Sequence, residues 1–330
     1  MRVRYVAFDS YGVKSSCIRV ETGDVVIVVD PGIASERPSF PLPRGERRAL
    51  RHRYEAEIRR ACSDADVIAI THYHYDHHIP DQELYRGKRL LIKDPEHSIN
   101  RSQRWRAGRL LEGLEADVEV ADGECFTIGS TEIRFSKPHW HGVEDSKLGY
   151  VIMVAIDDGE RRLLYTSDVD GPVLREVADE IIEVDPDILI IDGPPTYLLG
   201  FIFAYYNLAR SIVNLCHIIE ECRAETIVLD HHLVRDYRYP ELLHLVYLKA
   251  RELDRRVCTA AELMGLRPKV LEAYEAYGPT RWREWSRFEG EALTEALKKA
   301  VDVGILEDVW MRWVEESLPL GDEGVGEEEG

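Results

Sequence analysis

Thr71-His72-Tyr73-His74-Tyr75-Asp76-His77-His78 stands at the end of Val67–Thr71, an apolar run that reads as a buried strand. The pattern is H-x-H-x-D-H. With 12 His and 25 Asp in 330 residues, chance would produce it at odds of roughly 0.001. His72 and His74 alternate along an extended segment, so both imidazoles point the same way. Asp76 and His77 follow where the strand turns, and they can face a second point a few ångströms off. Neutral imidazoles suit Zn²⁺, Fe or Mn, and a carboxylate adds charge for a second cation. The stretch is therefore expected to hold metal.

One short segment cannot fill two coordination shells, so the other ligands must come from elsewhere. Eight of the 12 His fall in three clusters, at 72–78, 139–141 and 231–232. Lys137-Pro138-His139-Trp140-His141-Gly142 follows a strand ending at Phe135. Asp168 follows Leu163–Tyr165, and Asp230-His231-His232 follows Thr226–Leu229. Each candidate sits just past the C-terminal end of a strand, so all can converge on one edge of a sheet.

The rest of the chain fits that geometry. Strands are expected at Val3–Phe8, Cys17–Glu21, Val25–Val29, Leu90–Ile92, Val118–Val120, Cys125–Ile128 and Thr131–Phe135. Leu148–Ile156 and Arg162–Tyr165 read as a hairpin, and Ile188–Ile191 as a further strand. Helices are expected at Ala49–Cys62, Asn100–Leu114, from Val173, and at Ile202–Cys222, with mainly helix beyond Pro240. Each half begins with antiparallel strands and ends in strand–helix alternation. That order suits two mixed sheets packed face to face with helices outside.

These motifs together resemble the metallo-β-lactamase superfamily, and most closely an archaeal-type branch of predicted metal-dependent hydrolases. The matching features are H-x-H-x-D-H at 72–77, the Asp30-Pro31-Gly32 turn, His141-Gly142, Asp168 after a hairpin, and His231 after a late strand. The likeness spans residues 3–233. It implies an α/β (α+β) fold, a four-layer αββα sandwich, here with a helical C-terminal extension. Residues 1–265 would form the hydrolase domain, 266–318 the added helices with Trp282, Trp285, Trp310 and Trp313 as packing anchors, and 319–330 a disordered acidic tail.

Carried over position by position, the resemblance gives His72, His74 and His141 to one metal. Asp76, His77 and His231 go to a second, with Asp168 bridging. Two divalent ions, zinc first and manganese or iron as alternatives, would sit about 3.5–4 Å apart and share a water or hydroxide as nucleophile. His139 is the alternative to His141, and His232 the alternative to His231. Asp76 and His232 are the candidate catalytic groups, His232 as a proton donor to the leaving group. His78 and Asp192 are expected to support ligands, and Asp30 to tighten its turn. Asn100, Arg101, Gln103 and Arg235 are weaker candidates for holding an anion.

Composition narrows the substrate. The chain has 42 Lys+Arg against 61 Asp+Glu, a net charge of −19, with seven of the acids in residues 315–330. Such a chain is a poor match for a long nucleic acid. Two segments run the other way: 34–60 is net +4 and 86–109 is net +6. Together they favour a small anionic or ester-type substrate. The expected function is hydrolysis of a phosphoester, or of a small ester, lactone or amide. A non-catalytic metal-binding scaffold and a nuclease acting on RNA or DNA ends are the alternatives. A diiron redox role is disfavoured because His74 stands where that branch has Glu.

No run is long enough to span a bilayer, and the N-terminus lacks an apolar signal region. A cytoplasmic protein is expected, with homo-oligomerisation left open. Six cysteines without a C-x-x-C pair read mostly as buried thiols. Five Asn+Gln in all, and 33 Arg beside nine Lys, suggest a thermophilic source.

Overall fold

Strands that are apolar at nearly every position must be covered on both faces. The computed structural model describes residues 1–36, 40–278 and 288–319, and it covers them that way. The first sheet has six strands. β1 (Arg2–Phe8), β2 (Ser16–Glu21) and β3 (Val26–Val29) form an antiparallel meander. The helix α1 (Arg44–Ser63) crosses over to β4 (Val67–Ile70), parallel to β3. β5 (Arg89–Ile92), the helix α2 (Arg101–Leu111) and β6 (Asp117–Val120) extend the parallel part.

The second sheet repeats this plan. β7 (Cys125–Ile128) and β8 (Thr131–Phe135) pair antiparallel. A separate ribbon, β9 (His139–Trp140) with β10 (Tyr150–Val151), then leaves the sheet. β11 (Val154–Asp157) and β12 (Arg162–Tyr165) complete the antiparallel part. After α3 (Arg175–Val184) come β13 (Ile188–Asp192), α4 (Tyr205–Glu221), β14 (Thr226–Asp230), α5 (Tyr239–Leu242), α6 (His244–Glu252) and β15 (Arg256–Cys258). The last three strands run parallel to β12. The helices α7 (Ala260–Leu263), α8 (Lys269–Tyr277), α9 (Gly290–Asp302) and α10 (Val309–Ser317) follow.

Alternation along the strands sorts the core into layers. Ile27, Val29, Val67 and Ala69 meet Leu163, Tyr165, Ile190 and Val228 between the sheets. Val28, Ile68 and Ile70 face the other way, onto Ile58 and Cys62 of α1 and Leu110 of α2. Leu164, Leu189 and Leu229 face Val177 of α3 and Leu208 and Ile212 of α4, and Leu293, Leu297 and Val314 join that cluster. The result is the expected αββα sandwich with helices added at its C-terminal end. Among the described residues no helix is long and apolar enough to cross a membrane.

Several local expectations are corrected. Leu148–Ile156 is not one strand. Its first half pairs with β9, His141 N–H donates to Gly149 O (2.9 Å), and Ile152 N–H donates to Thr71 O (3.2 Å). This detour carries His141 across to the first sheet. The region after Pro240 includes β15, whose three residues are too few to show a period. α1 starts at Arg44, directly after Pro43, rather than at Ala49. Cys125 is exposed on an edge strand, whereas the other five thiols are buried, and all six are free. Trp310 and Trp313 pack edge to face (4.6 Å between centroids). Trp282, Trp285 and residues 320–330 lie outside the described residues.

The inner layer between the second sheet and α4 is tested by Leu164→Ala. Leu164 is 1% exposed, so the truncation is expected to cost about 2–5 kcal/mol, read as a lower urea midpoint at unchanged slope. A loss below about 1 kcal/mol would show that this layer collapses around the gap.

Candidate metal centre

The parallel strands β3, β4, β12, β13 and β14 all end at one edge, and the chain turns sharply there. Asp30, Ser167, Asp170 and His231 have φ of 48°, 57°, 54° and 60°. Left-handed conformations at non-glycine residues cost of order 1–3 kcal/mol each and persist only where surroundings hold them. Asp30 is held by four bonds. Its Oδ1 accepts from Thr71 N–H (2.8 Å), and its Oδ2 accepts from Thr71 Oγ1 (2.6 Å), Tyr165 OH (3.0 Å) and His77 Nδ1 (2.7 Å). One buried carboxylate thus ties the turn after β3 to the His-rich segment and to the opposite sheet. Gly32 lets the two turns touch: a Cβ there would lie 2.2 Å from both His77 N and His78 N.

The strand ends bring two ligand groups together around Asp168. His72, His74, His141 and Asp168 offer ligand atoms all within 4.8 Å of one another. Asp168 Oδ2 lies 3.1 Å from His141 Nε2 and 3.6 Å from His72 Nε2. Its Oδ1 lies 3.1 Å from His77 Nε2 and 3.4 Å from His231 Nε2. Asp76, His77 and His231 form the second group within the same limit. One carboxylate therefore presents one oxygen to each group. His139 points elsewhere, 2.9 Å from Glu180. His232 stands beside the cluster, its Nε2 3.7 Å from Asp168 Oδ2 and its Nδ1 3.0 Å from Asp192 Oδ2.

The electrostatics fit a cation. Asp9, Asp30, Asp168, Asp170 and Asp192 are all buried. Burial alone would raise the Asp168 carboxyl, but His77, His231 and His232 hold it well below the usual range. Burial opposes charge on His77, yet Asp168 and Asp30 carry it up to about 10. His231 is raised against its burial by Asp9 and Asp168. Burial and neighbouring imidazoles push His72 well down, and burial with His141 takes His74 to about 3. Those directions favour neutral imidazoles at His72 and His74, the form that binds metal. Asp168 Oδ1 and His141 Nδ1 are buried without a hydrogen bond, the orphaned state that a bound ion would relieve at Asp168.

Sequence reasoning missed Asp9 among the supporting groups. Asp9 accepts from His231 Nδ1 (3.0 Å) and Ser15 N–H (2.9 Å). The signal was an Asp directly after the first strand, in Phe8-Asp9-Ser10. Asp192 does more than orient His232: it also accepts from Val169 and Asp170 N–H (2.9 and 3.0 Å), fixing the loop that carries Asp168. His78 turns its Nδ1 to His74 O (2.9 Å).

The anion candidates are corrected in part. Asn100 caps α2 and donates to Lys147 O. Gln103 is buried between Tyr73 N–H and Leu148 O. Both amides are consumed within the fold, that of Gln103 in tying the His72–His74 segment to Leu148 and that of Asn100 in holding Lys147. Arg235 is buried against Asp9 and Asp76, and of the four only Arg101 remains exposed.

Residues 26–197 match the family described as the beta-lactamase superfamily domain. The chain is 42% identical over 297 residues to a UPF0282 protein of Korarchaeum cryptofilum, covering 86% of this chain and 99% of that one. It is 42% identical over 292 residues to a UPF0282 protein of Methanopyrus kandleri, covering 83% and 97%. Among solved structures, the metallo-beta-lactamase fold protein YhfI from Bacillus subtilis aligns with 74% of this chain and 89% of its own, at 17% identity and a TM-score of 0.45.

The contact at Gly32 gives a direct test of the site's scaffold. Gly32→Ala is expected to displace the His77–His78 backbone, lower stability by about 3 kcal/mol and reduce bound metal, measured by thermal unfolding and elemental analysis. Unchanged metal content would contradict the role given to that turn.

Proposed function

This chain belongs to the beta-lactamase superfamily and to the UPF0282 protein family, and from that membership we propose that it is a metal-dependent hydrolase. The observation that carries the reading is Asp168, whose two oxygens divide between two groups of ligands. His72, His74, His141 and Asp168 would hold one divalent cation, and Asp76, His77, His231 and Asp168 a second, zinc foremost. Bound there, such ions acidify water and polarise the bond to be cut.

The chain's own residues supply the rest. Asp30, through His77 Nδ1, and Asp9, through His231 Nδ1, fix two imidazole rings and aim their Nε2 atoms at Asp168. Asp192 does the same for His232. With Nδ1 turned to Asp192, His232 keeps its Nε2 free to take a proton and return it to the leaving group. Burial and Arg235 keep this imidazole neutral. His74 and Asp76 are the partly exposed members of the cluster, so substrate approaches from their side.

Beside them lies α2. Arg101, Arg104, Arg106 and Arg109 form no ion pair with a carboxylate among the described residues, and Arg106 stacks 4.8 Å over Tyr75. An uncompensated positive face in an acidic protein supports an anionic substrate, a phosphoester ahead of a neutral lactone. Trp105, 59% exposed beside Arg109, favours a second reading, cleavage at the end of a nucleic acid.

Purified protein is expected to carry about two equivalents of divalent metal. It is expected to cleave bis(p-nitrophenyl) phosphate with Zn²⁺, Mn²⁺ or Fe²⁺. Asp168→Asn should lose both metal and activity. His232→Ala should retain the metal while kcat falls about 10²–10⁴-fold. Folded protein that takes up no metal, or a phosphodiester and lactone panel inert with all three ions, would overturn the proposal.

A further inference from the structure

Arg235 stands where a protein built only to hold two cations would not be expected to place one of its own. It ends the short helix His231–Arg235 and is 6% exposed. Its Nε donates to Asp9 Oδ2. Its Nη2 lies 3.3 Å from Asp76 Oδ2 and 3.3 Å from His231 Nε2. Those are two of the ligand atoms of the second group, which a bound ion would claim. Lys14 adds a further positive charge, its Nζ 3.9 Å from Asp76 Oδ2. The first group is different. Among the described residues no Lys or Arg pairs or hydrogen-bonds with His72, His74, His141 or Asp168.

We infer that the two halves of the centre are unequal by construction. The His72/His74/His141/Asp168 half takes its ion tightly, and Arg235 is a resident cation that weakens the Asp76/His77/His231 half. The physical reason is twofold. A divalent ion in the second half would bind against a buried guanidinium and a nearby ammonium, in surroundings where charge is poorly screened. It would also have to replace the Nη2 contact that satisfies Asp76 in its absence. The protein would then hold one ion when metal is scarce and fill the second half only as free metal rises. This inference rests on the metal reading above, and it names Arg235 as a positioning residue that sets the gap between the two affinities.

Competitive titration of the metal-stripped full-length protein with Zn²⁺ against a chromophoric chelator reads both dissociation constants without reference to activity. The wild type is expected to show two events separated by at least about a hundredfold. Arg235→Gln removes the charge and keeps a hydrogen-bonding side chain near Asp9. It is expected to tighten the second event about tenfold or more and leave the first unchanged. Arg235→Lys keeps the charge and is expected to keep the gap.

Two equal events in the wild type would overturn the inference. So would a second event weakened by Arg235→Gln, or a gap that closes as much in Arg235→Lys as in Arg235→Gln, because then orientation of His231 would matter and charge would not. Should Arg235→Gln fail to fold, Lys14→Gln removes the outer charge and is expected to narrow the gap about threefold. No change there would count against the inference. A protein that takes up no Zn²⁺ at all would instead remove the hydrolase proposal, so the two failures are distinct.

Discussion

The carboxylate of Asp168 is the point on which the site depends. Its two oxygens lie in different ligand groups, one beside His72 and His141, the other beside His77 and His231. A carboxylate this deeply buried is costly without compensating charge. Imidazoles from both sheets supply it, and a bound cation would supply more. The surrounding turns serve that arrangement. Asp30, Ser167, Asp170 and His231 accept left-handed backbones at the ends of β3, β12 and β14, and buried carboxylates hold those turns in place. The sandwich provides rigid strand ends, and the strain is concentrated where the chain leaves them.

Much of this was legible from the residues. The spacing H-x-H-x-D-H, and the recurrence of His and Asp just past apolar runs, point to one sheet edge. Val25–Val29 and Arg162–Tyr165 read as strands, and the structure covers their unbroken apolar runs on both faces. The supporting polar groups were less visible. Asp9 is a single acid in an ordinary-looking turn, and only the meeting of two sheets gives it His231 and Arg235 as partners. Gln103 and Asn100 looked like surface hooks for an anion because local sequence cannot show that their amides are taken by Tyr73, Leu148 and Lys147. The break in Leu148–Ile156 was hidden for the same reason, since Ile152 leaves its own sheet for Thr71.

Charge is the other part of the picture that folding changes. A net −19 suggests a protein that repels anions, yet Asp9, Asp30, Asp168, Asp170 and Asp192 are buried around the candidate centre, while α2 displays arginines that among the described residues form no ion pair with a carboxylate, beside the partly exposed His74 and exposed Tyr75. The same inward gathering of acids explains why a guanidinium, Arg235, can be buried beside the candidate ligands: it balances Asp9 and Asp76.

Anomalous diffraction at the absorption edge of whatever metal the purified protein carries would test the central claim most directly. The expected result is a peak within bonding distance of His72, His74, His141 and Asp168. Well-ordered crystals of metal-containing protein with the anomalous signal elsewhere, and none at Asp168, would contradict it.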